Sequence, residues 1–196
     1  MFTVCTIDCY YYNETEMGPT CQLLLDTPLN DKQLFELTSY LNKIGDVNKS
    51  SVSNTWDFWV KLDRVIPRDP GNQGCLFSIY VWEGLIAEHS GTFEIEEYEL
   101  IQLEQKTGFR PYGRIQLDAG CNGKIDHSLL GKIASDLLAK FGGFIDFGGD
   151  LNLESDESVP GNIYTIFMEN EEHGYQIADQ TFLNYWMSHD QFRMIK

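Results

Sequence analysis

The stretch from Asp126 to Phe141 sets the strongest constraint on this fold. Leu129, Leu130, Ile133, Ala134, Leu137, Leu138 and Phe141 recur every three or four residues, which lays a wide apolar stripe along one helix. Asp126 is placed to cap it, Asp136 and Lys140 form an i,i+4 pair on its exposed side, and Gly142 with Gly143 ends it sharply. The helix stands between two segments of strand character, Gly113–Asp118 and Phe144–Phe147. One strand–helix–strand unit cannot bury so broad a stripe by itself, so a larger sheet must lie beneath it.

The same order of elements occurs upstream. Cys21–Asp26 reads as a short strand closed by the Thr27-Pro28 turn, and Asn30 starts a helix. The Asn30 side chain can hold the free amides while Gln33 reaches back; Leu34, Leu37, Leu41 and Ile44 share one face, and Gly45 is the stop. Asp46–Thr55 reads as a polar loop and Trp56–Leu62 as the next strand. Both units end their first strand on Leu-Asp, at Leu25-Asp26 and Leu117-Asp118. Elsewhere Thr3–Tyr11, Cys75–Trp82, Ile163–Glu169 and Tyr175–Ala178 have strand patterns, and the prolines and glycines of Pro67–Gly74 interrupt the chain. Glu94–Thr107 reads as a helix with Ile95, Tyr98, Ile101 and Gln105 on one side and Gly108 as its stop. Asp179 opens a last helix carrying Phe182, Leu183 and Trp186. The fold class is therefore α+β: a mixed sheet with helices packed on one face, built from two similar strand–helix–strand units. Strand order is not readable from these patterns, so α/β arrangements stay open. A length of 196 residues and a hydrophobic content of 42% suit one globular domain over 1–196, with 1–92 and 93–196 as its sub-units.

Charge narrows the function. Thirty acidic residues stand against 14 basic ones, for a net charge of −16. A nucleic-acid binder needs a basic stripe to displace counterions from phosphates, so the composition argues against nucleic acid and against anionic membranes as partners. The first dozen residues lack a basic flank and a continuous apolar run, and no window is apolar enough to span a bilayer, so a cytoplasmic location is expected. The five cysteines (Cys5, Cys9, Cys21, Cys75, Cys121) show no ligand spacing and read as reduced core residues. The sequons at Asn13 and Asn48 carry no meaning without secretion.

The most unusual segment is Phe141–Asp150, FGGFIDFGGD, in which Asp146 interrupts an apolar strand. Burial raises a carboxyl pKa and suits it to acid–base work. The structural alternative has Asp146 accepting backbone amides of the glycine turn or pairing with Arg110 or Arg114. Asp150 does not complete a metal pair readily, because an extended Asp146–Asp150 run spans roughly 13 Å. The Asp146-Phe147-Gly148 triplet lacks every companion motif of a protein kinase, and neither GxGxxG nor GxxxxGK[ST] is present. His89, His127, His173 and His189 form no metal-ligand pattern. No cofactor and no metal is expected. Cys121 and His127 both stand near the start of the long helix, whose free amides would favour a thiolate. A small hydrolase or transferase using Asp146 with His127 or Cys121 is thus the alternative reading.

The acidic clusters carry more information. Glu94, Glu96, Glu97 and Glu99 lie around the second helix, Glu154, Asp156 and Glu157 in a loop, and Glu171 and Glu172 after a strand. Together they make a broad negative field suited to a basic protein partner, with Trp82, Tyr98, Tyr164 and Tyr175 as candidate apolar anchors. The run Gly108-Phe109, Pro111, Cys121-Asn122, Asp126-His127, Leu129-Leu130-Gly131, FGGFIDFGG, His189-Asp190 and Phe192-Arg193-Met194 resembles an uncharacterised family of small bacterial proteins. The resemblance covers Gly108–Lys196 and supplies no catalytic residue. By analogy with families of this size and acidity, it implies an immunity protein of a polymorphic toxin system, whose partner is a toxin domain.

Overall fold

The computed structural model describes residues 18–51, 53–65, 74–83, 95–153, 158–169 and 174–194. The expected strand at Thr3–Tyr11, with Cys5 and Cys9, and most of the Pro67–Gly74 breaker lie outside these residues. In chain order the elements are β1 (Thr20–Leu25), α1 (Asp31–Ile44), β2 (Gly45–Lys49), β3 (Thr55–Lys61), α2 (Leu62–Val65), β4 (Gly74–Glu83) and α3 (Glu97–Thr107). They continue with β5 (Gly113–Ala119), α4 (Lys124–Phe141), β6 (Phe144–Asp146), β7 (Ile163–Phe167), β8 (Gly174–Ala178) and α5 (Gln180–Trp186). The strands form one sheet in the order β2-β3-β4-β5-β1-β6-β8-β7.

The fold is α+β, and every neighbouring pair of strands is antiparallel. The parallel relations expected of a mixed sheet exist only between strands that do not touch. β5 and β6 run parallel on either side of β1, and β1 and β2 run parallel with three strands between them. Each strand–helix–strand unit is thus split by strands from elsewhere in the chain.

Alternation along β1 divides the molecule into two layers. Cys21, Leu23 and Leu25 face a core shared with Leu37 and Leu41 of α1, Leu129, Leu130, Ile133 and Leu137 of α4, and Phe182 and Trp186 of α5. Leu24 points to the other face and meets Leu100 and Leu103 of α3 with Ile166 and Ile177. The single helical face expected from sequence holds for α1, α4 and α5; α3 lies on the opposite side.

Local chemistry explains most element boundaries. Asn30 Oδ1 accepts from the Gln33 amide at 3.1 Å while Gln33 Oε1 accepts from the Asn30 amide at 3.0 Å, the reciprocal cap expected for α1. α1 runs directly into β2, which corrects the Asp46–Lys49 part of the loop expected at Asp46–Thr55, while the connection between β2 and β3 keeps the rest of it. β2 is polar because it forms a sheet edge with Asp46, Asn48 and Lys49 exposed. Gly45 is required by close approach, since a Cβ there would meet the Trp59 carbonyl oxygen at 2.4 Å. α4 starts at Lys124 after Gly123, so Asp126 is not the cap but stands in the first turn, accepting from the Gly123 amide at 2.8 Å. The expected Asp136–Lys140 pair is replaced: Asp136 takes Lys132 and the Tyr40 hydroxyl, the latter at 3.0 Å, and Lys140 lies 3.9 Å from Glu36. α3 begins at Glu97, and its buried side is Glu99, Leu100 and Leu103, whereas Ile101 is exposed. Its weak apolar signal fits two adjacent stripes, and only the sheet face above Leu24 selects between them.

Candidate functional site

The face of the sheet opposite α1 and α4 carries polar side chains in cross-strand rows. Ile145 enters the core, so Asp146 on β6 points to this face, in register with Gln22 on β1, Gln116 on β5 and Tyr80 on β4. The adjoining row contains Trp82, Arg114, Leu24 and Phe144. A third row places Asp57, Ser78, Asp118 and Thr20 side by side. α3 covers one end and brings Glu99 toward Asp146, with Tyr175 of β8 bonded to the Glu99 carboxylate.

Two carboxylates here are electrostatically unusual. Asp146 Oδ1 accepts from the Gly148 amide at 2.8 Å, as the structural reading of the glycine turn required. Burial pushes its pKa from 3.8 to about 7; the negative charge of Glu99 adds to the shift, and the Gly148 amide and Arg114 oppose it. Glu99 is itself raised, chiefly by burial, although it accepts from the Glu96 amide at 2.8 Å. Burial and the charges of Asp146 and Glu99 push the Tyr175 phenol far above its ordinary value. Arg114 is buried, with its guanidinium carbon 5.1 Å from the Trp82 ring centre and Nη1 3.5 Å from Gln22 Oε1. Among the described residues the buried Trp82 indole nitrogen meets no hydrogen-bond partner. Farther along the face, Asp118 accepts from the Thr20 hydroxyl at 2.9 Å and the Gln116 amide at 3.1 Å, and Asp57 accepts from Ser78 at 2.6 Å. Trp59 and Leu76 face each other across β3 and β4 at 42% and 43% exposure, a solvent-facing apolar pair among these acids.

The sequence-predicted residues divide into three groups. Glu94, Glu154, Asp156, Glu157, Glu171 and Glu172 lie outside the described residues. Glu96 and Glu97 are exposed, but Glu97 is held by Arg110 through contacts of 2.5 and 3.2 Å, so Arg110 is not a partner of Asp146. Glu99 is 6% exposed, which corrects its assignment as a solvent-facing partner contact. Trp82, Tyr98, Tyr164 and Tyr175 are half-buried against the α3 side of the sheet and are not free anchors.

The Asp146–His127 pairing is not assembled, because α4 and Asp146 occupy opposite faces of the sheet. His127 Nδ1 accepts from the Met194 amide at 3.0 Å and Nε2 contacts Asn122 Oδ1 at 3.0 Å, which together place the ring proton on Nε2. Cys121 follows the Ala119 end of β5, and the charges that act on Asp146 come from Glu99 and Arg114. Among the described residues, no group of three His, Cys, Asp or Glu side chains is placed to hold a metal ion.

Asp57, Asp118 and Trp59 were missed by the sequence reading. Alternation in Thr55–Lys61 holds the signal: Trp56, Phe58 and Val60 turn inward, which leaves Asp57 and Trp59 together on the other side. Charge is also segregated. α1 and α4 carry Asp31, Glu36, Asp126 and Asp136 against Lys32, Lys43, Lys124, Lys132 and Lys140, so the helical layer carries none of the net −16. The negative excess resides in the rest of the chain, a good part of it in acids outside the described residues, among them Glu94, Glu154, Asp156, Glu157, Glu171 and Glu172.

A family model described as a family of unknown function (DUF6368) matches residues 17–196. The chain belongs to that family, and the match reaches well upstream of the Gly108–Lys196 stretch on which the sequence resemblance rested. No curated protein and no solved structure matches the chain. Among the described residues no helix is long and apolar enough to cross a membrane.

Proposed function

We propose that this protein is a cytoplasmic, immunity-type inhibitor that binds a basic bacterial toxin domain and occludes its active site. The reading rests on the separation of charge: the α1/α4 layer is balanced, and the negative excess lies elsewhere, with Asp57 and Asp118 on a sheet face that no described helix covers at exposed Trp59 and Leu76. A carboxylate field of this kind speeds encounter with a cationic cleft, and a central apolar contact supplies residence time. The same charge disfavours nucleic acid and anionic lipid as ligands. The experiment is calorimetry with the product of the neighbouring gene at low and high salt. The wild type should bind with an affinity that falls as salt rises, and Asp57→Asn/Asp118→Asn should weaken binding and flatten that dependence. Equal neutralisation of the toxin by the wild type and the double variant would overturn the electrostatic mechanism.

A second reading is favoured by one observation, the pKa of about 7 at Asp146 beside Glu99 and Tyr175. Groups poised near neutrality serve as general acids or bases. This hydrolase or transferase centre would use Glu99 and Tyr175 in place of His127 or Cys121. An Asp146→Asn protein that stays folded and still neutralises the toxin would separate the two functions.

A further inference from the structure

Strand register brings two of the cysteines together. β4 and β5 are antiparallel, with Ser78 opposite Asp118 and Phe77 opposite Ala119. The contact outlasts the paired strands: the Gly120 amide donates to the Leu76 carbonyl at 2.8 Å, and a Cβ at Gly120 would lie 3.1 Å from that oxygen and 3.2 Å from the Leu76 Cβ. One step further along the same register, Cys121 stands opposite Cys75. Hydrogen-bonded and non-hydrogen-bonded pairs alternate along an antiparallel ladder. Leu76 and Gly120 are bonded, so Cys75 and Cys121 take a non-hydrogen-bonded position. The Val81 amide, which donates to Asn54 at 2.9 Å, agrees, because it turns the odd-numbered backbone groups of β4 toward β3. Directly opposed residues of this kind have Cα atoms about 4.5 Å apart and Cβ atoms about 4.5–5.5 Å apart. A disulfide needs about 4.4–6.8 Å and about 3.5–4.5 Å respectively, so closing it takes a shift of about 1 Å. Cys121 can supply that shift, since it lies past the end of β5 in the connection to α4. Alternation puts both residues on the side of Phe77 and Ala119, and both are half-buried, within reach of a small solute. Cys21 is fully buried opposite Leu117, four residues up the ladder and roughly 13 Å away.

We propose that Cys75 and Cys121 are a redox-responsive site, converted by a small-molecule disulfide such as oxidised glutathione into a cross-strand disulfide that fastens the β5–α4 connection to the start of β4. One thiolate attacks a sulfur of the oxidant, whose S–S bond breaks; one glutathione leaves and a mixed disulfide forms. The second thiolate attacks the protein sulfur of that mixed disulfide and expels the other glutathione. The two cysteines are oxidised, the oxidant is reduced to two thiols, and the two cysteine protons end on them. Reduced glutathione drives the same exchange backwards, so the crosslink follows the glutathione balance. Closing the bridge ties a loop that holds most of β4 with α3 and β5, which restricts the unfolded chain and stabilises the fold. Leu76 stands between Cys75 and the rest of β4, so oxidation acts at the end of the sheet that carries the exposed Leu76–Trp59 pair.

The test equilibrates the full chain with glutathione buffers of rising oxidised fraction, blocks the remaining thiols with N-ethylmaleimide, and maps the crosslinks by mass spectrometry after digestion. A peptide pair joined through Cys75 and Cys121 should be the main intramolecular product and should disappear with dithiothreitol. The oxidised protein should melt about 5 °C or more above the reduced one. Cys75→Ala and Cys121→Ala, each alone, should lose that rise, whereas Cys5→Ser/Cys9→Ser should keep it. The crosslink map and the melting shift are both read on the unaltered chain, so they decide the question even where a variant folds poorly. Glutathione adducts at Cys75 and Cys121 with no crosslink between them, or a main crosslink that passes through Cys5, Cys9 or Cys21, would overturn the assignment. So would a Cys75–Cys121 crosslink that leaves the melting temperature unchanged or lowers it, because the fold would then have to distort to form the bond.

Discussion

Replacing Asp146 by Asn should stabilise the protein at neutral and alkaline pH and leave it unchanged in acid. The carboxyl titrates near 3.8 when exposed and at about 7 in the fold, so the folded chain holds this proton more tightly than the unfolded chain. Between those two values the folded state binds more protons, and stability falls as pH rises through the window. Above about 7 the loss is complete; below 3.8 it is absent. A shift of three units corresponds to about 4 kcal/mol, but Asp146 is only half-buried by surface area, and solvent screening reduces the expectation to about 2 kcal/mol. Asn retains an oxygen for the Gly148 amide, so the turn is preserved. Urea unfolding of wild type and Asp146→Asn from pH 4 to pH 8 reads the effect as a difference in free energy. That difference should be near zero at the acid end, open through the window and level off at about 2 kcal/mol. Glu99→Gln in the wild-type background should narrow the difference without removing it, because burial is the larger cause and the Glu99 charge the smaller. A difference that is constant with pH, or that favours the wild type at pH 8, would show that the carboxylate is compensated in the fold and would refute the reasoning.

Three further outcomes are expected of the fold. Gly143→Ala should cost about 3 kcal/mol or more in chemical unfolding, because φ is +96° and a Cβ would meet the Leu24 carbonyl oxygen at 2.1 Å; Gly142→Ala, with open space around it but φ +74° and ψ −166° in a region that glycine alone adopts readily, should cost about 2 kcal/mol. Gln102→Ala/Lys106→Ala should expose the β7 edge and raise light scattering at high protein concentration, with a modest change in melting temperature. Tyr40→Phe should lose about 1 kcal/mol with the hydrogen bond to Asp136, measured by thermal or urea unfolding.

Local chemistry was legible wherever a side chain acts on its own neighbourhood. The reciprocal Asn30–Gln33 cap, the Asp179 cap of α5 and the glycine stop of α4 are short-range contacts, and each occurs where residue type and spacing place it. The misreadings share a different cause. β2 looked like a loop because an edge strand buries little, and its identity comes from β3 across the sheet. The buried side of α3 could not be chosen from Ile95, Tyr98 and Ile101 against Leu100 and Leu103 without knowing that Leu24 waits on the far face of β1. The same holds for the acids. Sequence clustering singled out Glu96, Glu97 and Glu99 as one surface, yet the fold exposes Glu96, ties Glu97 to Arg110 and buries Glu99 against Tyr175. Asp57 and Asp118 are 61 positions apart in the chain, yet both are in register with Ser78. A field assembled by antiparallel register is invisible to any count along the chain. Which carboxylates share a surface is therefore decided by how the strands are paired, and a residue's neighbours in the chain say little about it.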